Sequence, residues 1–526
     1  MGIVRDSPRP VEAGTRRGRA TGKERRRAAG ILTFGLMALT ILACVPYAPQ
    51  GPFDARTYAR LAGMRLEQHS WTALIEPLFA PLKIIAGAPD FWVATDSLLA
   101  WTVLVAVVLG LLAARRAGSG RRGAAAVFRA LRNALVTIAT VALLIMFFAI
   151  ARVPGWRLVV RNPNRIVADL HSHTVLSHDG LASLRTNVLW HQSSGYTMEA
   201  VTEHDHLSDH EITWLSPSAL AAMPALMSGV EDHTGRRAVC VGLCPNTAMR
   251  IGGAVRHTAS FAQAIHAAGG AVFVVTLPNL TPNDITRLAD DGVDGFEIAN
   301  EGHPGLPPRL ARRVLAVSRA RGLVLLADSD YHGWTGLART WNVIRAPGAA
   351  TLSRSQRVRV VLRQLRRHDS AAFTPVVAGY MGAPSMARAI FAPFAEFARY
   401  AMELSLARVL SWWVWAWGAF GAYVLLDRRR LRAGSIMLAS LVWATGAGLV
   451  GAGIAVIRQG PGTTNYGFHV GLATTMLGAV ACLLATLRGL SLLAEYRRDD
   501  RIWRSASEVT LAGASVAAAP VVEAVP

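Results

Sequence analysis

Apolar positions along the chain follow two patterns. Long uninterrupted runs occupy residues 30–48, 97–114, 133–151, 409–426, 433–457 and 467–487, each close to the roughly 20 residues that a helix needs to cross a bilayer. Between the third and fourth runs the pattern shortens to RIVADL, MEAVT, LMSGV, RAVCVGL, AVFVVT, GFEIA and LVLLA, which read as strands. Helical patterns such as TASFAQAIHAAGG and PPRLARRVLAVSRARG alternate with several of them, and both stop at glycine. The alternation predicts an α/β region with mostly parallel strands, whose functional residues are expected at the strands' carboxyl ends. The stretch WTALIEPLFAPLKIIAGAPDFW, residues 71–92, is apolar too. Glu76, Lys83 and three prolines predict that it lies in the interface or re-enters instead of crossing. Were it to cross, the middle region would change sides.

Composition and charge turn these runs into a topology. The 526 residues are 52% hydrophobic and 17% charged, and the mean hydropathy is +0.31, which fits a membrane protein. A net charge of +21 on one soluble face would suggest nucleic acid. The stretch 161–345 instead holds slightly more acids than bases, so the basic excess flanks the apolar runs and no nucleic-acid partner is expected. The amino-terminal tail, RRAGSGRRGAAAVFRALR, DRRRLR and EYRRDDRIWR are all basic, whereas RQGPGTTNYG has one arginine. Six spans put the four basic segments on one side, the cytoplasmic side by the positive-inside rule. The expectation is a multi-pass protein of the plasma (bacterial inner) membrane, with cytoplasmic termini, an extracytoplasmic middle region and membrane lipids as partners.

The expected organisation is a basic tail (1–29), a membrane region of three spans plus the interfacial segment (30–151), an α/β domain (152–350), a basic and amphipathic linker (351–405), three further spans (406–490) and a partly disordered tail (491–526). RRGRATGKERRRAAG lacks a small-residue cleavage site and suits a retained anchor. The linker stretch RSQRVRVVLRQLRRH reads either as a helix on anionic headgroups or as a solvated charged face. Four scattered cysteines make no disulfide framework, and Cys240 and Cys244 in CVGLC read as a reduced, core-packed pair.

The chemistry sits at the strand ends. RIVADL leads into DLHSHTVLSHDG, where His171 and His173 share one side of an extended segment and can grip one ion. Asp179 follows in a glycine-containing loop. MEAVT runs into EHDH with His204, LMSGV into GVEDH with Glu231, and LVLLA into DSDYHG, where Asp330 and His332 again share a side. Mixed nitrogen and oxygen donors at four strand ends suit zinc, manganese or iron, and a carboxylate such as Glu231 can bridge two ions.

In that order and spacing, DLHSHTVLSHDG, VTEHDH, GVE and DSDYHG resemble the motifs of the polymerase and histidinol phosphatase (PHP) superfamily, over roughly residues 165–345. The resemblance implies a distorted (β/α)7 barrel, here inserted between two three-helix transmembrane bundles, and metal-dependent phosphoesterase activity at up to three ions. It implies that His171, His173, Glu231 and Asp330 hold one ion and that Asp179, His204 and His332 hold another. The sequence departs from the pattern at Arg237 and Leu277, where family members often carry histidines serving one metal, so two divalent ions are expected. His233, His257 and His303 are available substitutes, Glu203 stands where the family has aspartate, and His178 is inserted into the usual spacing.

The expected activity is hydrolysis of a phosphoester by a metal-activated water at a two-metal site, with a lipid-linked or exported substrate. Asp205 or His206 would assist proton transfer or orient a ligand, and Arg237 would bind phosphate as a guanidinium fork. The alternatives are a degenerate PHP fold that senses a metal or ligand without catalysis, and a transporter. Six spans permit a transporter, but the apolar runs hold few acids to carry ions, and Arg408 and His469 lie near span ends.

Overall fold

The computed structural model describes residues 22–45, 51–86, 91–117, 121–150, 155–205, 224–232, 238–242, 258–303, 305–334, 337–382, 385–428, 433–459 and 466–517. Its described strands are β1 (Phe53–Asp54), β2 (Met64–Gln68), β3 (Trp156–Val160), β4 (Arg165–Asp169), β5 (Met198–His204), β6 (Ala225–Asp232), β7 (Ala238–Val241), β8 (Ala271–Val275), β9 (Gly295–Asn300), β10 (Val324–Asp328), β11 (Thr340–Arg345) and β12 (Phe373–Val377). Strands β4 to β10 are the seven that the hydrophobic pattern predicts.

Ten strands form one sheet in the order β1-β12-β11-β4-β5-β6-β7-β8-β9-β10, and β2 pairs separately with β3. The sheet is mixed. Pairs β4/β5, β5/β6, β8/β9 and β9/β10 are parallel, but β7 runs antiparallel to β6 and β8, and β11 is antiparallel to β4 and β12. The expectation of mostly parallel strands is corrected accordingly. Five residues separate Asp232 from Ala238, and a parallel crossover needs a dozen or more. The sheet curls, because the segment after β10 comes back against the segment after β4. Ser172 and Tyr331 form a parallel bridge, the Asp330 N–H donates to the His171 carbonyl (2.9 Å), and the His173 N–H donates to the Tyr331 carbonyl (2.8 Å).

Period-two alternation fills both faces of this curled sheet. Ile166, Leu170, Met198, Met227, Phe273 and Leu326 pack in one core cluster. Phe296 and Val274 belong to another, with residues of helices Thr258–Ala267, Pro282–Asp290 and Pro308–Arg321. Truncating a buried aromatic such as Phe273 costs about 3–5 kcal/mol in a core of this kind. The helix Arg354–Arg366 belongs to the first cluster: Val361 and Leu365 are fully buried in it, so its apolar face is turned to the sheet and not to lipid. With β12, it carries the α/β fold beyond residue 350.

Among the described residues, five helices are long and apolar enough to cross a membrane: Gly22–Cys44, Val93–Leu112, Leu406–Asp427, Gly434–Ile457 and Tyr466–Arg498. The expected third span falls in helix Arg121–Ile150, whose apolar part is Ala134–Phe147. The segment after residue 71 contains helix Glu76–Ala86, which at 1.5 Å per residue is about 17 Å long and too short for a hydrocarbon core of about 30 Å.

The chain divides into two compact units, one of residues 1–38, 412–447 and 478–526 and the other of residues 39–411 and 448–477. In the first, Arg25 pairs with Asp427 at 2.6 Å. In the second, Glu76 is fully buried and accepts from Lys83 (2.7 and 2.8 Å), Tyr400 (3.0 Å) and Arg408.

Candidate metal centre

The site forms where the sheet curls shut. The Leu170 N–H donates to Asp328 Oδ1 (2.8 Å) and the Ser329 N–H to Asp169 Oδ1 (3.1 Å). These bonds and the bridge beyond them zip the ends of β4 and β10 together. His171, His173, Asp330 and His332 are thereby presented to the ends of β5 and β6, which carry His204 and Glu231. The loop with Asp179 folds back because residue 180 is glycine: a Cβ there would lie 1.8 Å from the Thr174 carbonyl oxygen.

Two sets of donor atoms converge. In the first, His171 Nε2 and His173 Nε2 are 2.9 Å apart, and both face Glu231 Oε2 (3.3 and 3.4 Å) and Asp330 Oδ1 (3.4 and 3.2 Å). In the second, Asp179 Oδ1, His204 Nε2 and His332 Nε2 make a triangle with sides of 3.2, 3.3 and 3.3 Å. Glu231 Oε2 also lies 3.0 Å from His204 Nδ1 and so joins the two sets. All seven expected residues meet at one end of the sheet, and the first set is buried throughout.

The protonation pattern tests whether a cation suits these atoms. His171 Nδ1 is 3.0 Å from Glu297 Oε2, a carboxylate acceptor that places the imidazole proton on Nδ1. His173 Nδ1 donates to Ser177 Oγ (3.0 Å), whose own hydroxyl donates to Glu203 (2.5 Å). His332 Nδ1 donates to the Asp330 carbonyl (2.7 Å). Each Nε2 is therefore left as a lone pair aimed inward, as outer partners of metal-binding histidines arrange. Two lone pairs 2.9 Å apart repel unless a proton or a cation lies between them. Asp179 Oδ1 and Asp330 Oδ1 are buried, and the polar atoms they face are the imidazole nitrogens of the two sets. Donors about 2.0–2.1 Å from a common tetrahedral centre stand roughly 3.4 Å apart, close to the spacings of the first set. The donors fit divalent metal ions.

Without metal, protons take that role. Burial pulls the His171 imidazole down, but Asp330, Glu297 and Glu231 outweigh it and hold its pKa well above the ordinary value. Burial and the neighbouring His332 push His173 down to about 3, so His171 carries the proton that separates the pair. Burial opposes charge on His204 too, yet Asp179 and Glu231 raise it to about 9, and Asp330 and Asp179 raise His332. Against their own burial, Glu231, Asp330 and Asp179 are held well below the carboxylate range by these histidines.

Sequence reading missed an outer layer of buried acids. Glu203 accepts from the Thr174 N–H and hydroxyl (3.0 and 2.6 Å) and from Ser177, which fixes the loop between His173 and Asp179. His191 is fully buried between Asp169 (2.7 Å) and Glu199 (2.7 Å); burial works against its charge, but the two acids raise it to about 10. Burial pushes Glu297, behind His171, up to about 7 despite that imidazole. Among these, only Glu203 stood out, beside a motif histidine. His191 and Glu199 occupy ordinary helix and strand positions that carry no local signal.

The other candidates are placed unevenly. Asp205 is exposed at φ 59°, and its N–H donates to the Glu231 carbonyl (2.9 Å). His178 is largely exposed, with Nε2 3.9 Å from Asp179 and its ring against His204 at 4.8 Å. His303 Nε2 lies 3.6 Å from Asp330 Oδ2. Leu277 is half-buried against the core. His206, His233, Arg237, Cys244 and His257 lie outside the described residues.

No family model matches the sequence, and no curated protein matches it. Among solved structures, an amidohydrolase from Chromobacterium violaceum, with bound sulfate and no metal, aligns over 31% of this chain and 87% of its own, at 16% identity and a TM-score of 0.26. PsfC from Pseudomonas syringae aligns over 39% of this chain and 98% of its own, at 14% identity and a TM-score of 0.25.

Proposed function

We propose that the protein is a membrane-anchored, metal-dependent phosphoester hydrolase of the PHP type. The observation that carries the reading is the pair of interlocked donor sets, with four imidazole nitrogens and three carboxylates converging at one end of the curled sheet. His171, His173, Glu231 and Asp330 would hold one ion, and Asp179, His204 and His332 the other. Two such ions would supply Lewis acidity towards phosphoryl oxygens and a water acidified towards neutrality. The chain's own residues then aim and tune the donors. Glu297, Ser177 with Glu203, and the Asp330 carbonyl hold the imidazole planes, and Glu231 couples the two sets. Asp205, exposed and tied by its N–H to the Glu231 carbonyl, would take a proton at the rim. The phosphoester class rests on the four motifs, and the basic flanks favour cytoplasmic termini with the site on the opposite side.

The test is a hydrolysis screen of the full-length protein with manganese, zinc or iron against phosphomonoesters, phosphodiesters and carboxamides. Phosphoester turnover that His204→Ala abolishes is expected. Turnover of carboxamides alone would move the protein to another hydrolase class, and bound metal without turnover would favour the sensor reading. An alkaline phosphatase reporter fused after Pro154 is expected to be active; activity only from a cytoplasmic reporter would reverse the topology.

A further inference from the structure

The loops that carry Asp179 and His332 rest directly on the ends of apolar helices. Two residues after Asp179, Leu181 is fully buried in a cluster with Ile145, Ala149 and Ile150 of helix Arg121–Ile150 and with Val456. Val456 is the last residue but one of the span Gly434–Ile457, and Val470, near the start of the span Tyr466–Arg498, packs on the same cluster. Trp334, two residues after His332, and Leu337 join it. The Leu181 N–H donates to the His332 carbonyl (2.7 Å), so the two ligand loops form one floor. Gln459, just past that span, fixes the floor from below: its Oε1 accepts from the Ser183 N–H and the Thr186 hydroxyl, both at 2.8 Å.

These contacts set the depth of the site. Two residues of extended chain span at most about 7 Å, and the headgroup layer on each side of a hydrocarbon core is itself about 5–8 Å thick. With the helix ends at the edge of the hydrocarbon core, the donor atoms would stand at headgroup height. A second surface is compatible with this. Phe391 and Phe394 pack on Trp101 of the helix Val93–Leu112 at 5.8 and 5.0 Å, and Phe391, Phe394 and Phe397 expose about half of their surface (51%, 55% and 45%), which suits contact with lipid.

We infer that the substrate is an amphiphile resident in the bilayer, a phosphoester whose headgroup reaches the donor sets while its chains stay in the membrane. This deepens the proposed hydrolase function and rests on it. A soluble phosphoester would share the headgroup chemistry but gain nothing from a site at this height.

The test uses the full-length protein in phosphatidylcholine nanodiscs with Mn²⁺. Turnover of dioleoyl phosphatidate and dioleoyl phosphatidylglycerol is compared with that of their dihexanoyl counterparts. Separately, line broadening of the ³¹P signal of non-hydrolysable phosphonate analogues by site-held Mn²⁺ reports approach without turnover. At least a tenfold preference for the long-chain form in both readouts is expected. Phe397→Asp, at an exposed position outside both donor sets, should lower long-chain turnover several-fold and leave short-chain turnover unchanged. Equal or better turnover of the short-chain esters would overturn the inference and leave the hydrolase reading standing. Preferential broadening of the long-chain phosphonate with no hydrolysis of any ester would keep the amphiphile and remove the hydrolase. Neither hydrolysis nor broadening would remove both.

Discussion

Two groups of buried charges in this protein have opposite architectures. Around Glu76 every charge is answered: Lys83 bonds both carboxylate oxygens, Arg408 adds to one and to Thr72, and Tyr400 to the other. Nearby, Arg399 is saturated by Glu396, Glu403 and the Lys83 carbonyl. At the sheet end the opposite holds. Outer partners fix His171, His173 and His332 with their Nε2 atoms turned inward, towards one another and towards the buried Asp179 and Asp330 oxygens. A cluster that neutralises itself holds helices together. One whose donors all face a common point suits a cation. Burial alone does not separate the two, since Glu76 and His171 are both fully buried.

The sharpest break is at a donor. Asp330→Asn removes the charge facing His171, His173 and His332, and activity is expected to fall at least about 10³-fold, equivalent to about 4 kcal/mol of lost transition-state stabilisation, with metal content falling in parallel by elemental analysis. Breaking the other cluster should give the complementary phenotype. Glu76→Ala leaves Lys83 and Arg408 buried without their acid and should cost about 3–5 kcal/mol of stability, read by denaturation in detergent, while the folded fraction keeps its metal. A smaller effect is expected from Glu203→Gln, which loosens the loop around Ser177: metal affinity should drop about 10–100-fold, measured by chelator competition, with the far-ultraviolet spectrum unchanged.

The centre should also respond to pH with a sign that depends on metal. In the metal-free protein the folded-state pKa values of His171, His204 and His332 are raised. Their contribution to stability is full below the unfolded value of about 6.5 and is lost as pH climbs through the folded value, about 9 for His204. Metal must displace those protons, so its affinity should increase over the same window. Thermal melts at several pH values, with and without Mn²⁺, are expected to diverge as pH rises; parallel curves would contradict the assignment. The smallest effect belongs to His178→Ala. Exposed and 3.9 Å from Asp179, that imidazole should matter by about a factor of two to five in turnover, since exposed ionic contacts are worth little.

Much of the centre is legible in the sequence because period-two strands announce their ends. RIVADL, MEAVT, LMSGV and LVLLA each stop beside a histidine or acid, and the fold brings those ends together. What stays hidden is set by long-range partners. Glu199 looks like any polar residue in MEAVT until the fold sets His191, eight positions earlier, 2.7 Å from it as an ion pair. Glu297 lies inside GFEIA, and only the curl of the sheet brings it to His171. Strands β11 and β12, TWNVIR and FTPVV, follow the motifs and carry no chemistry to draw notice, yet β11 lies directly beside β4. The reversal at β7 was readable, since five residues between Asp232 and Ala238 allow only a hairpin. The first described helix begins at Gly22, ahead of the expected residue 30, because KERRR continues the helix that the apolar run only partly covers.

The most direct test is the metal stoichiometry of the purified full-length protein beside its Asp330→Asn and His204→Ala variants, measured by elemental analysis after removal of loosely bound ions. About two divalent ions per chain are expected, with each variant losing at least one and the Glu76→Ala protein retaining both in its folded fraction. A wild-type protein that binds none, or variants that bind as many as the wild type, would contradict that expectation.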